Sequence, residues 1–174
     1  MPASSTLNPL RRKPLSLTLF VDGASRGNPG PSGVGVVVLE KKESAKPIAE
    51  IALYLGETTN NVAEYCALMV GLQEVARRGA EQVEAFTDSQ LLARQVSGEY
   101  KVRDARLQWL HALVLQAAAG FSSFSIQHIP RERNKKADRL ANQAVSAGVR
   151  RAGQGSATRK PDDVSGSSDQ MTLF

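Results

Sequence analysis

At 174 residues, with a formal net charge of +5 and an isoelectric point near 9.6, the chain has room for one domain with a hydrophobic core plus tails, and not for two. A single cysteine, Cys66, excludes a disulfide framework. One Cys and two His at unrelated spacings exclude a zinc site. Cys66 is expected to fill core space as a small hydrophobe. No apolar run reaches membrane length, and the opening MPASSTLNPLRRKP lacks the apolar region of a secretory leader. A soluble, cytoplasmic protein without a membrane partner is expected.

In chain order, Leu15, Leu17, Leu19 and Val21 alternate with Ser16, Thr18, Phe20 and Asp22, the period-2 pattern of a strand. The glycine- and proline-rich DGASRGNPGPSG interrupts it. VGVVVLE and IAEIALYLG predict a second and a third strand about the turn KKESAKP, and with no helical pattern between them the three suggest an antiparallel meander. After ETTNN the period changes to that of a helix over 62–78, ended by Gly79. QVEAFTD predicts a fourth strand, SQLLARQVSG a short helix closed by Gly98, and DARLQWLHALVLQAAAG a longer helix capped by its first Asp. FSIQHI predicts a fifth strand and NKKADRLANQAVSAG the last helix. This order implies an α/β (mixed α+β) domain over residues 15–147, with a mixed sheet. Residues 1–14 read as a disordered basic arm and 148–169 as a disordered linker by composition. Trp109 is assigned to core or helix packing in preference to a substrate contact, and His111 to a structural role.

The positive charge is unevenly placed. Residues 1–14 carry a net +3 and 15–147 only +1, yet Lys101, Arg103, Arg106, Arg131, Arg133, Lys135, Lys136 and Arg139 crowd between 101 and 139 against three acidic residues. Such an excess suits phosphate contacts; a solvated charged face reads equally well from charge alone.

Four carboxylates stand where carboxylates are costly. Asp22 ends the first strand before a glycine-rich turn, Glu64 is the only charge in VAEYCALMVGL, Asp88 ends the fourth strand, and Asp138 sits on the shoulder of the apolar face of the last helix. Singly they read as a turn former, a partner of some arginine, a helix cap and a surface charge. Together they can converge on one site, and oxygen donors without sulfur or imidazole favour a hard cation, Mg²⁺ or Mn²⁺.

DGASRGNPGPSGVG, TTNNVAEYCAL, TDSQLL and HIPRERNKKADRLAN, in this order, resemble the successive signature blocks of the ribonuclease HI family, which cuts the RNA strand of RNA:DNA hybrids. The resemblance implies a ribonuclease H-like fold: a five-stranded mixed sheet with three antiparallel N-terminal strands, flanked by helices. It implies Asp22, Glu64, Asp88 and Asp138 as the catalytic, metal-binding quartet for two Mg²⁺ ions. Hydrolysis would then leave 5′-phosphate and 3′-hydroxyl ends. Asp22 would be shared between the metals and Asp138 would be the more mobile ligand. It also implies His128 as an auxiliary residue in proton transfer or product release, and Asn28, Thr59, Asn60 and Gln90 as contacts to the hybrid, unless GNPG and TTNN are only turn and cap chemistry. The basic protrusion of the best-known bacterial form is missing, so Lys101 and Arg103 would supply part of that contact. A non-cleaving hybrid-binding module and another nuclease of the same fold remain alternatives.

The closing residues QMTLF resemble the short peptide with which bacterial replication and repair proteins dock on the DNA sliding clamp. Gln170 would supply hydrogen bonds, and Leu173 and Phe174 apolar anchors. The nuclease itself is expected to be a monomer.

Overall fold

The computed structural model describes residues 13–156 apart from 41, 43 and 45. The basic arm up to Arg12, most of the expected linker and the QMTLF peptide lie outside the described residues. Alternation along β1 (Ser16–Ser25) sends Leu17, Leu19 and Val21 into the main core, all at most 1% exposed. The opposite positions are also covered: Thr18 is buried and Phe20 packs on a second cluster with Val37, Leu39, Ala137 and Leu140. A strand buried on both faces belongs in the middle of a sheet.

It is flanked by β2 (Gly30–Leu39), antiparallel, and β4 (Gln82–Thr87), parallel. β3 (Ala49–Thr58) extends the meander and β5 (Ser123–His128) pairs parallel to β4, giving the order β3-β2-β1-β4-β5. This is the mixed five-stranded sheet that the sequence predicts.

α1 (Asn60–Arg77), α2 (Gln90–Val96) and α3 (Ala105–Ala118) follow β3 and β4; α1 covers the Leu17–Val21 face through Leu68, Leu72 and Val75. α1 begins two residues before the predicted 62, because the Thr59 hydroxyl accepts from the Val62 amide at 3.4 Å and so sets the N-cap at 59. Gly79 and Gly98 end α1 and α2 with φ of +78° and +83°, as the sequence predicts.

α4 (Lys135–Ser156) crosses the other face. The helix expected to end at Gly148 runs through it to Ser156. Gly148 is not a stop signal. A Cβ there would fall on the ring carbons of Tyr54, so the glycine is the place where α4 lies flat on β3.

Two more glycines bring helices to backbone distance. Beside Asp22, Gly23 abuts the start of α1, where an added Cβ would come 2.7 Å from the Ala63 carbonyl oxygen and closer to the Glu64 amide nitrogen. Gly35, opposite Asp22 in the β1–β2 register, abuts α4, where a Cβ would come 2.6 Å from the Ala141 nitrogen and collide with the Ala137 carbonyl. Gly35→Ala is therefore expected to cost about 1–3 kcal/mol or more in urea denaturation. Gly153→Ala, in an exposed turn of α4 with no neighbour within 4 Å of the new carbon, should instead gain about 0.4–1 kcal/mol.

Candidate active site

The parallel register pairs Val21 with Thr87, so the next residues, Asp22 and Asp88, emerge side by side at the same end of two adjacent strands. Crevices beyond the carboxyl ends of parallel strands are where sheets of this type bind ligands. Glu64 reaches this point from the second turn of α1, which the contact at Gly23 holds against β1. Asp138 comes from the first turn of α4, docked through Gly35 on the opposite face. The four carboxylates line one cleft of about 440 Å³, joined by Asn60, Arg131 and Asn142.

Concentrated negative charge raises the proton affinity of the innermost groups. Asp22, 8% exposed, has its pKa pushed from 3.8 up to about 8, first by burial and then by the charges of Asp88, Asp138 and Glu64. Glu64 is pushed up to about 7 by burial and by Asp88, against hydrogen bonds from Ser89 and Asn60 that favour its charged form. The protein's own donors offset part of this. Asn60 Nδ2 donates to Glu64 Oε1 at 2.8 Å, Asn134 Nδ2 to Asp88 Oδ1 at 2.7 Å, and Arg131 Nη2 to Asp138 Oδ1 at 2.5 Å. Asp138 in turn raises the Arg131 pKa. With three carboxylates turned to these donors, no group of three His, Cys, Asp or Glu among the described residues forms a ready cation cage.

Asn134 was not singled out from the sequence, and Arg131 only as one of the cluster of cations suited to phosphate contacts. Asn134 is 1% exposed, and its Nδ2 also donates to the Val21 carbonyl at 2.9 Å. That amide therefore ties Asp88 to β1 one residue before Asp22, while its Oδ1 is buried without a partner. The spacing NKKAD puts Asn134 one helical turn before Asp138, but its two acceptors come from strands far away in sequence. Asn142, one turn after Asp138, donates to the Asp138 carbonyl at 2.9 Å.

The other expected residues, Asn60 apart, are not part of the lining of this cleft. Thr59 caps α1, and Asn28 Oδ1 accepts from the Asn60 amide at 3.3 Å, which joins the β1–β2 turn to the helix start. Asn60 does line the cleft. Gln90 opens α2, His128 ends β5 opposite Thr87, and Lys101 and Arg103 precede α3; all four are exposed. Cys66 is half-buried against the main core. His111 meets the Gln95 carbonyl at 3.0 Å and the edge of Tyr65, a structural role as expected. Trp109 corrects the sequence reading: it is 65% exposed, with no element among the described residues over that side of α3.

A family model described as reverse transcriptase-like matches residues 20–144. Ribonuclease HI of Halobacterium salinarum is 40% identical over 126 residues, 72% of this chain and 62% of the relative. The bifunctional protein Rv2228c of Mycobacterium tuberculosis is 39% identical over 138 residues, 79% of this chain; the match spans 38% of that relative's length. Among solved structures, RNase H1 of Halobacterium salinarum superposes with a TM-score of 0.72 at 38% identity, over 76% of this chain and 98% of the other. LC11-RNase H1 in complex with an RNA/DNA hybrid gives the same TM-score and identity, over 76% and 99%.

The raised carboxylates make the metal-free protein sensitive to pH. Because the folded state holds the Asp22 proton more tightly than the unfolded chain, stability is greatest below pH 3.8 as far as this group is concerned, and falls as pH rises through about 8. Glu64 acts in the same direction between 4.5 and about 7. In EDTA, Asp22→Asn is expected to stabilise the fold at pH 8 by about 0.5–2 kcal/mol and to gain less at pH 5, read from urea midpoints at the two pH values.

Proposed function

This chain belongs to the ribonuclease H family, and from that premise we propose that it is an endonuclease hydrolysing the RNA strand of RNA:DNA hybrids. The observation that carries this reading is the convergence of Asp22, Glu64, Asp88 and Asp138 from two strands and two helices on one cleft. An oxygen-only donor set whose two innermost members are driven to bind protons has the chemistry of a hard divalent cation site. Asp22, Glu64, Asp88 and Asp138 would hold two Mg²⁺ ions, with Mn²⁺ as a substitute. Bound there, the ions would supply Lewis acidity on both sides of the scissile phosphate, giving 5′-phosphate and 3′-hydroxyl products.

The chain's own groups divide the remaining tasks. Asp22, buried and coupled electrostatically to the other three carboxylates, is the fixed member on which the rest are arranged. Asn60 orients Glu64 and Asn134 orients Asp88. Asp138 is held by a single exposed guanidinium, so it can exchange that partner for another cation. The released Arg131 would then face the phosphate backbone. His128, exposed at the end of β5 beside the strand that leads to Asp88, is the proposed proton carrier. Asn28, Thr59, Asn60, Gln90, Lys101 and Arg103 are proposed hybrid contacts. The solved LC11-RNase H1 complex, with its RNA/DNA hybrid, supports this assignment of substrate.

Incubation of labelled RNA:DNA hybrid, double-stranded RNA and double-stranded DNA with Mg²⁺ is expected to cut only the RNA of the hybrid. EDTA should abolish cutting, and Asp88→Asn should reduce the rate at least about 100-fold, on the scale of losing one preorganised charged group. Hybrid binding without cleavage would make the protein a binding module, and equal cutting of DNA would make it another nuclease of the fold.

Recruitment is a separate proposal: a cytoplasmic, monomeric enzyme held at replication or repair sites by docking of Gln170, Leu173 and Phe174 on the sliding clamp, which raises its local concentration at hybrids. Deleting residues 170–174 should abolish clamp binding in surface plasmon resonance while the free enzyme still cuts. Clamp binding by the truncated protein would refute the docking.

A further inference from the structure

Trp109, the single tryptophan of the chain, stands on α3 with most of its surface in solvent. The helix sequence ARLQWLHALVLQAA contains one charged residue, Arg106. Trp109, Ala112 and Leu115 follow each other at three-residue spacing, all exposed, so an apolar stripe faces outward while Leu107, Val114 and Ala118 face the core. A helix apolar on both sides has one side left to cover.

The neighbours of the stripe indicate what covers it. The segment before α3 carries Tyr100, 44% exposed, then exposed Lys101 and Arg103, and Arg106 lies in the first turn of the helix. These groups are held in place. Arg94 Nη1 donates to the Tyr100 hydroxyl at 2.6 Å and its guanidinium lies 5.0 Å from the ring centre. The Tyr100 amide donates to the Arg94 carbonyl at 2.9 Å, and Gln108 Nε2 donates to the Val102 carbonyl at 3.0 Å. Of the two acids nearby, Asp104 caps α3 and lies 3.8 Å from the Arg106 guanidinium, and Glu99 accepts from Ser97 and lies 3.9 Å from that of Arg94, which leaves Lys101 and Arg103 as cations in excess. Exposed cations beside exposed aromatic rings are complementary to a nucleic-acid strand: phosphates meet the cations and bases stack on the rings. A duplex hides its base faces, so the fitting strand is unpaired.

We propose that Tyr100, Lys101, Arg103, Arg106 and Trp109 form a binding surface for single-stranded nucleic acid, with an unpaired base stacked on Trp109. The inference rests on the reading of the cleft only for the origin of that strand, an unpaired stretch flanking a bound hybrid. Binding itself needs none of the four carboxylates.

The lone tryptophan reports its own occupancy. In EDTA, oligothymidylate added to the full chain is expected to quench Trp109 emission saturably, and less so as salt rises. By anisotropy of a labelled oligothymidylate, Trp109→Ala should weaken binding about 5- to 150-fold, and Trp109→Phe should retain most of it. Lys101→Gln with Arg103→Gln should lower the slope of log affinity against log salt by about 0.7 per charge removed. Circular dichroism of each variant checks the fold. Affinity indifferent to Trp109→Ala would overturn the proposal, assigning any binding to Arg11, Arg12 and Lys13. Emission that changes with protein concentration alone, with dimers in sedimentation, would overturn it in favour of a second copy of the chain. Cleavage of hybrids without tryptophan-dependent single-strand binding sinks this inference alone, whereas single-strand binding without cleavage sinks only the functional reading.

Discussion

How closely two helices approach the sheet decides where every carboxylate of the cleft stands. Side chains on both surfaces would hold each helix farther from the sheet, and with it Glu64 and Asp138 farther from Asp22. Gly23 and Gly35 remove that spacer on opposite faces of the β1–β2 pair, within one residue and one register position of Asp22. α1 then lies backbone to backbone on one face and α4 on the other. The rest of the core, from Leu19 and Leu68 to Phe20 and Leu140, packs around this fixed geometry.

Such packing works against the electrostatics. Four carboxylates driven together in a partly buried cleft repel one another, and the fold answers with Asn60, Asn134 and Arg131 instead of separating them. Two of these are neutral amides, which orient a carboxylate without cancelling its charge. Burial first, and then the remaining excess of negative charge, make Asp22 and Glu64 hold protons so tightly. Stability is sacrificed where carboxylates are brought together, a conflict expected of a functional site and unexpected of a structural one.

The quartet could be read in the sequence because each acid contradicts its surroundings: a charge at the end of an apolar strand or inside an apolar helix needs a reason that composition does not supply. The succession of strands and helices along the chain was legible for the same kind of reason, since periodicity survives without knowledge of the fold. Asn134 was not legible. An asparagine before a helix looks like a cap, and its actual partners, Val21 and Asp88, are brought to it only by the completed sheet. Gly148 misled in the opposite direction, because a glycine that ends a helix and one that lets a helix lie on Tyr54 look alike in one dimension. Trp109 was assigned inward on the general habit of large aromatic residues; its exposure depends on the absence of a covering element, which a local pattern does not reveal.

The seat of Gly148 on Tyr54 also bears on how the site can move. α4 is pinned at two points along its axis, at Ala137 by Gly35 and at Gly148 by the tyrosine ring, about 16 Å apart at 1.5 Å per residue. A rod fastened twice can neither slide nor pivot about one fastening without breaking the other. Asp138, one residue beyond the first pin, is left with its own side-chain torsions as degrees of freedom. The proposed exchange of Arg131 for another cation would then be a local rotamer event, on the order of nanoseconds, that needs no rearrangement of the helix that carries it.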